Sequence, residues 1–255
     1  MMDGIYTIWL RNVKHYLRSK SRIVGSLGMP LFFLLLIGFG LNPLIKSIGG
    51  ASGSQTSYIG FILPGIVAMS VLFTSMFSGI QVIWDKQFGF LKETLVAPIA
   101  RIEIMLGQTL GGATTSLIQG LMTLVIGVLI GSGVNTNLTS VLIALAFMVL
   151  IGLSFTALGI AFASRMEDMH GFQLIMNFVI FPIFGLSGAV FPLSSLPGWL
   201  KALTYLDPLT YGVQGIRYGL TGASEINPII SFAVLGGFTV VTILVGSILF
   251  KKIKN

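Results

Sequence analysis

Six uncharged, largely apolar runs divide the chain, at about residues 23–45, 58–83, 105–131, 138–163, 171–192 and 228–250, each holding about the 20 residues a helix needs to cross a hydrocarbon core. Between Glu103 and Arg165 no charged residue occurs, which leaves room for two spans joined by the polar turn GSGVNTNLT. The first 22 residues follow a different pattern. Ile5, Ile8, Trp9 and Tyr16 share one face of a helical wheel, and Thr7, Arg11, Lys14 and Arg18 the opposite one. That pattern predicts an amphipathic helix lying flat in the membrane interface, its basic face toward anionic headgroups. A long basic stretch with no small-residue cleavage site after it is unlike a signal peptide.

Residues 193–227 break the apolar pattern without replacing it by a span. Lys201, Asp207 and Arg217 would each cost about 2.5–3.5 kcal/mol at a bilayer centre, and Pro197 and Pro208 interrupt any long helix. The segment therefore reads as an outer loop. Asp207 before Pro208 is a strong helix start, an N-cap acceptor followed by the residue best suited to the first helical position, and Gly222 is a stop. Trp199, Tyr205, Tyr211 and Tyr218 suit a water interface, so two short helices are expected to dip partway into the outer leaflet. An ordinary interfacial loop and a dedicated outer gate both fit this pattern. The predicted fold is all-α and integral to the membrane, a single domain over residues 1–255 with six spans.

Composition agrees: 54% of residues are hydrophobic and only 9% charged, against about 25% charged in a soluble domain. The net charge of +7 reflects where basic residues sit rather than a nucleic-acid surface. With six spans, one side of the membrane holds Arg11, Lys14, Arg18, Lys20, Arg22, Lys86, Lys92, Arg101, Arg165, Lys251, Lys252 and Lys254, and the other only Lys46, Lys201 and Arg217. Twelve against three is expected to place both termini in the cytoplasm of a cell-membrane protein.

Candidate chemistry is sparse. The chain has no Cys, and its two histidines, His15 and His170, fall near the predicted cytoplasmic surface, His170 beside Glu167 and Asp168 in what reads as a solvated turn. No metal or cofactor site is expected on such a set. The spans carry no paired Asp, no Ser with a base and no buried ionisable group of the kind that drives ion-coupled transport, so an intramembrane enzyme is not expected. No GxxxxGK[ST] phosphate loop occurs, and any ATP-derived work must come from a separate subunit acting on a cytoplasmic surface.

The largest such surface is DKQFGFLKETLVAPIARIE, residues 85–103. Asp85 is read as the cap of a short helix that Pro98 ends, with Phe88, Leu91 and Leu95 on one face and Lys86, Lys92 and Glu93 at its edges. A helix of this kind fits a groove on a partner or the lipid surface, and periodicity does not choose between them.

The run FGFLKETLVAPIARIEIMLGQTL resembles the cytoplasmic segment of type-2 ABC exporter permeases, the daunorubicin-resistance and polysaccharide-export permeases. LSGAVFPLSSLPGWLKALTYLDPLTYGVQGIRYGL is similar to the other recurrent stretch of that family, and the two lie in the expected order. Ala97 stands where many members have Ser or Thr before the proline. The resemblance implies a half-transporter: two permease copies, or this chain with a paralogue, joined to two ATPase subunits that hold ATP and Mg. It implies that Phe88, Leu91, Lys92, Glu93 and Leu95 form a coupling helix docked on the ATPase, and that Trp199, Tyr205, Tyr211 and Arg217 belong to an outer gate.

Within the spans, Gln108, Gly112, Thr115 and Gln119 fall on a narrow arc of span three, which must face protein or water because an amide in lipid is unsatisfied. Gly112, Ser116 and Gly120 form a small-residue ladder for close helix approach. In span five, Asn177, Pro182, Gly185 and Gly188 suggest a bent, closely packed helix, with Phe178, Phe181 and Phe184 available to a hydrophobic substrate or to lipid. The polar face serves packing or a pathway. The expected function is an ATP-driven exporter of an amphipathic drug, lipid or lipid-linked glycan; a non-transporting scaffold or immunity protein and a passive channel are the alternatives.

Overall fold

A computed structural model describes residues 2–48, 58–90 and 99–251. Its helices are α1 (Met2–Arg18), α2 (Lys20–Ile48), α3 (Tyr58–Phe77), α4 (Ile80–Gln87), α5 (Arg101–Leu129), α6 (Leu138–Ser164), α7 (Met169–Leu186), α8 (Gly198–Leu206), α9 (Pro208–Thr221) and α10 (Pro228–Lys251), with one 3-10 turn at Leu193–Ser195 before α8. Among the described residues there is no strand. Among the described residues five helical stretches are long and apolar enough to cross a membrane, Tyr58–Gln87, Arg101–Leu129, Leu138–Ser164, Met169–Leu186 and Pro228–Lys251, and a sixth is reached by α1 and α2 together, which meet at a 72° bend.

α3, α5 and α6 form the core, and glycines set how closely they approach. A Cβ on Gly112 would meet Ser78 Oγ at 2.5 Å and Thr156 Cγ2 at 2.6 Å, and one on Gly120 would meet Val71 and Met148. Gly152 lies against Ser116 in the same way. The small-residue ladder on α5 thus seats α3 on one side and α6 on the other, both antiparallel to it. α10 packs along α6, where Thr239 Oγ1 reaches the Leu150 carbonyl. The Arg101 guanidinium donates to the Lys251 carbonyl at 2.7 Å, so the starts of α1 and α5 and the end of α10 share one end of the bundle, which also carries Lys86 and Arg165. We call it the basic end.

At the opposite end α8 and α9 form the expected pair of short helices. Asp207 caps α9 by accepting from the Leu209 N–H at 3.0 Å, Pro208 occupies its first position, and Gly222 ends it at φ 73°. α9 runs antiparallel to α6: Gly212 lies against Ile151, Gly215 against Phe147 and Gly219 against Ala144. Gly212 therefore lies about 20 Å down α6 from that helix's first residue, at 1.5 Å rise per residue, and the start of α9 lies deeper still.

Two expectations about helix shape change. Span five stops at Leu186, and the chain turns at Gly188 with φ 67°. Gly185 has nothing within 4 Å of where a Cβ would stand, so close packing at that residue does not hold.

A polar cavity behind the N-terminal helix

α1 does not lie with its apolar face on lipid. Ile8 and Tyr16 are buried, and α1 runs along about five turns of α5, from Glu103 to Gln119. Gly107 and Gly111 make this possible: a Cβ on the first would meet Ile8 at 2.9 Å, and one on the second Asn12 at 2.7 Å. α5 then offers a row of acceptors to α1. The Trp9 indole N–H donates to Thr114 Oγ1 at 3.0 Å, the Asn12 amide to Gln108 Oε1 at 2.9 Å, and the Tyr16 hydroxyl to Gln119 Oε1 at 2.6 Å. The apolar face predicted for the membrane covers protein because chemistry suited to lipid is equally suited to a glycine-lined groove.

Asp85 is not a helix cap. It sits inside α4 and is 5% exposed, and α4 ends at Gln87. Gly89 follows at φ 80°, and helical geometry resumes at Phe90, where this stretch of described residues ends. The Asp85 carboxylate accepts from Arg11 Nη2 at 2.6 Å, from Gln108 Nε2 at 3.1 Å and from Gln81 Nε2 at 3.2 Å. On the neighbouring residue, Lys86 Nζ donates to the carbonyls of Ala163, Ser164 and Met166 at 3.0, 2.8 and 3.1 Å. These belong to the last turn of α6 and the residues after it, the place where a cation complements the exposed carbonyls and helix dipole. Gln87 Nε2 adds a bond to the Glu167 carbonyl.

Between α1, α2, α3, α4, α5 and α7 lies a half-open cavity of about 660 Å³. Gln108, Gly112, Thr115, Asn177 and Phe181 all line it, so five of the six residues expected on a pathway or packing face come together there. The sixth, Gln119, does not line it and is held by Tyr16 instead. The remaining wall includes Asn12, His15, Ser26, Thr74, Ser78, Gln81 and Gln173 as polar groups and Met69, Phe73 and Phe77 as apolar ones. No Asp, Glu, Lys or Arg is among the described lining residues. Phe73 and Phe181 meet edge to face at 5.9 Å, and farther along α7 Phe184 meets Phe33 of α2 at 6.3 Å. Sequence reasoning missed α1, α2 and α4 as walls; Asn12 on α1 meets its partner Gln108 96 residues away.

α7 flanks the cavity and is the least covered span. Only 22% of its apolar window is buried, and Gln173, Asn177 and Phe178 are exposed, Phe178 at 81%. Its start is fixed by Asp168, which accepts from the N–H groups of Gly171 and His170 at 2.6 and 3.2 Å. Those two bonds, Gly171 first, hold the Asp168 carboxyl below the usual carboxylate range. Among the described residues no group of three or more His, Cys, Asp or Glu is placed to hold a metal ion.

The residues expected at an outer gate divide. The Tyr211 hydroxyl donates to the Tyr205 carbonyl at 2.8 Å, joining α9 to α8, while Trp199 is exposed. Arg217 stands apart from them and is buried: it donates to the Gly188 carbonyl at 2.9 Å and lies 4.1 Å from the centre of the Phe61 ring, tying α9 to the end of α7 and to α3. Glu225 accepts from the N–H groups of Leu193 and Ser194 at 2.8 and 2.7 Å and closes the same corner. Of the expected coupling element, Phe88 is exposed and packs on Trp84 at 5.4 Å between ring centres. Leu91, Lys92, Glu93 and Leu95 lie outside the described residues.

A multi-pass helical bundle with a polar cavity, next to a short helix anchored on several elements, is the architecture of an integral membrane protein. The chain belongs to the ABC-2 type transporter family, whose model matches residues 3–221. It is 30% identical over 250 residues to the inner membrane transport permease YadH of Escherichia coli K12, covering 95% of this chain and 92% of that one. It is 27% identical over 248 residues to Nodulation protein J of Rhizobium meliloti, covering 96% and 92%. It is also 27% identical over 246 residues to the putative transport permease ycf38 of Cyanophora paradoxa, covering 92% and 83%.

Proposed function

We propose that this chain is the membrane subunit of an ATP-driven exporter whose substrate is amphipathic, with an uncharged polar headgroup. The cavity carries this reading: amides and hydroxyls from six helices converge on one volume beside phenylalanines, with no Asp, Glu, Lys or Arg among the described lining residues. Such a wall offers hydrogen bonds to a neutral headgroup and apolar contact to a chain, while an ionic headgroup would lose its hydration without a counter-charge. The basic end faces the cytoplasm, in keeping with the distribution of Lys and Arg. Two copies of a separate ATPase, holding ATP and Mg, grip the segment that begins at Phe88. The exposed face of α7, with Gln173 and Asn177 on it, meets a second permease or the substrate path, since amides facing lipid go unsatisfied. Trp199, Tyr205 and Tyr211 stand at the outer end of that path, and Arg217 holds its frame.

Phe88→Asp is expected to abolish co-purification with the ATPase, or ATP-driven transport by the reconstituted complex, while the isolated permease keeps its melting temperature. Intact assembly and transport in that variant would count against the docking role. Ion conductance without nucleotide would favour a channel, and substrate binding without any nucleotide-dependent release a scaffold.

A further inference from the structure

Asp85 lies outside the cavity yet holds its polar lining. Gln81 and Gln108 line the cavity and point their amide N–H groups at this one carboxylate, at 3.2 and 3.1 Å. A carboxylate only accepts, so both amides must turn their NH2 ends toward it and their carbonyl ends away. Gln108 Oε1 then accepts from Asn12, a third lining residue, and so fixes the direction of that amide as well. The same carboxylate holds α1 through Arg11 at 2.6 Å. One buried charge therefore sets the orientation of three amides on three different helices.

Asp85 also lies near the end of a span. The helical stretch Tyr58–Gln87 is interrupted only at Ser78 and Gly79, and α4 is its eight-residue last part. Its far end is bolted to α6 by Lys86 and leads directly into Phe88 and Gly89. A displacement of the segment after α4 reaches Asp85 before any lining residue.

We propose that Asp85 is the positioning residue through which movement of the segment beginning at Phe88 reorients the cavity's amides. It does not contact substrate; it decides whether Gln81, Gln108 and Asn12 present carbonyl or N–H groups to the cavity. The proposal rests on the exporter reading of that cavity.

The chain contains no Cys, so Thr115→Cys places a single thiol of this subunit on the cavity wall. The complete permease–ATPase complex in lipid nanodiscs is labelled with N-ethylmaleimide, with and without a non-hydrolysable ATP analogue. The nucleotide should change the labelling rate by about tenfold, within the ordinary range of site-to-site coupling. Adding Asp85→Asn, which keeps the shape and removes the charge, should erase most of that change. Arg11→Gln, which removes the counter-charge of Asp85, should reduce it, and Arg11→Lys should retain it. Melting temperature is followed in each variant. If Asp85→Asn or the folded Arg11→Gln complex keeps the full nucleotide response, or if the response falls only in step with folded complex, Asp85 is a structural residue and the proposal is overturned. If nucleotide leaves Thr115→Cys unchanged with Asp85 intact, the exporter reading of the cavity fails instead.

Discussion

Close glycine contacts occur at both ends of the bundle, and the two ends differ in what is added to them. At the basic end, elements distant in sequence are joined by side-chain hydrogen bonds and one ion pair: Arg11 with Asp85, Asn12 with Gln108, and Lys86 with the last carbonyls of α6. At the opposite end, α9 is fixed against α6 by glycines with no room for a Cβ, and the turn after α7 is fixed to α9 by the Gly188 carbonyl on Arg217. Directional polar contacts can be exchanged for others or for water at small net cost, whereas an interface packed on backbone has one arrangement. The basic end can thus exchange its polar partners, while the packed end has one arrangement.

The sharpest way to break this contrast is at the packed end. Gly215→Val drives two methyl groups into the Phe147 ring, where there is no free volume, and overpacking of this kind should cost about 3 kcal/mol. A large fall in melting temperature, measured in detergent by tryptophan fluorescence, is expected. A Gly215→Val protein as stable as the parent would mean that α9 is free to shift and that the outer end is not the rigid one.

At the basic end the corresponding change is milder. Lys86→Met leaves the carbonyls of Ala163, Ser164 and Met166 at the end of α6 without their cation, and about 1–2 kcal/mol is expected. The loss in melting temperature should be smaller than for Gly215→Val. A larger loss would reverse the comparison and make Lys86 the main fastening of the bundle.

Asp207→Ala removes the cap of α9 and should cost about 1 kcal/mol, with Asp207→Asn nearly neutral because an amide oxygen accepts from the Leu209 N–H equally well. Equal effects of Ala and Asn on the melting temperature would show that the cap contributes nothing and that α9 is placed by its glycines alone.

How much of this was legible depended on the distance between partners. The start and stop of α9 were readable because Asp207, Pro208 and Gly222 act on their own backbone. The arc on α5 was readable because helical period alone brings Gln108, Gly112 and Thr115 to one face, and the cavity wall includes all three. Asp85 was not: its partner Arg11 lies 74 residues away, and a lone Asp before a short apolar stretch reads as a cap. Docking of α1 was hidden for a related reason, since Ile8 and Tyr16 would cover lipid or a groove alike. The signal was available in Gly107 and Gly111, four residues apart on the face of α5 that α1 covers.

The smallest expected effect tests the cap of the least covered span. Asp168 is fully exposed, yet its carboxyl is held below its ordinary value of 3.8 by the N–H groups of Gly171 and His170 at the start of α7. A depressed folded-state pKa means that the cap's contribution is complete above that value and is lost as pH falls through the lower folded-state one. Asp168→Asn keeps an acceptor for the same two N–H groups and removes the titration. Melting temperatures of parent and variant should therefore run parallel from neutral pH to the onset of carboxylate protonation and converge or cross below it, where the parent alone loses its cap charge. Other carboxylates titrate in both proteins and cancel in the difference. An identical acid loss in the two would mean that α7 does not draw on Asp168, and that its start, like its uncovered face, is held by whatever packs against it in the assembled transporter.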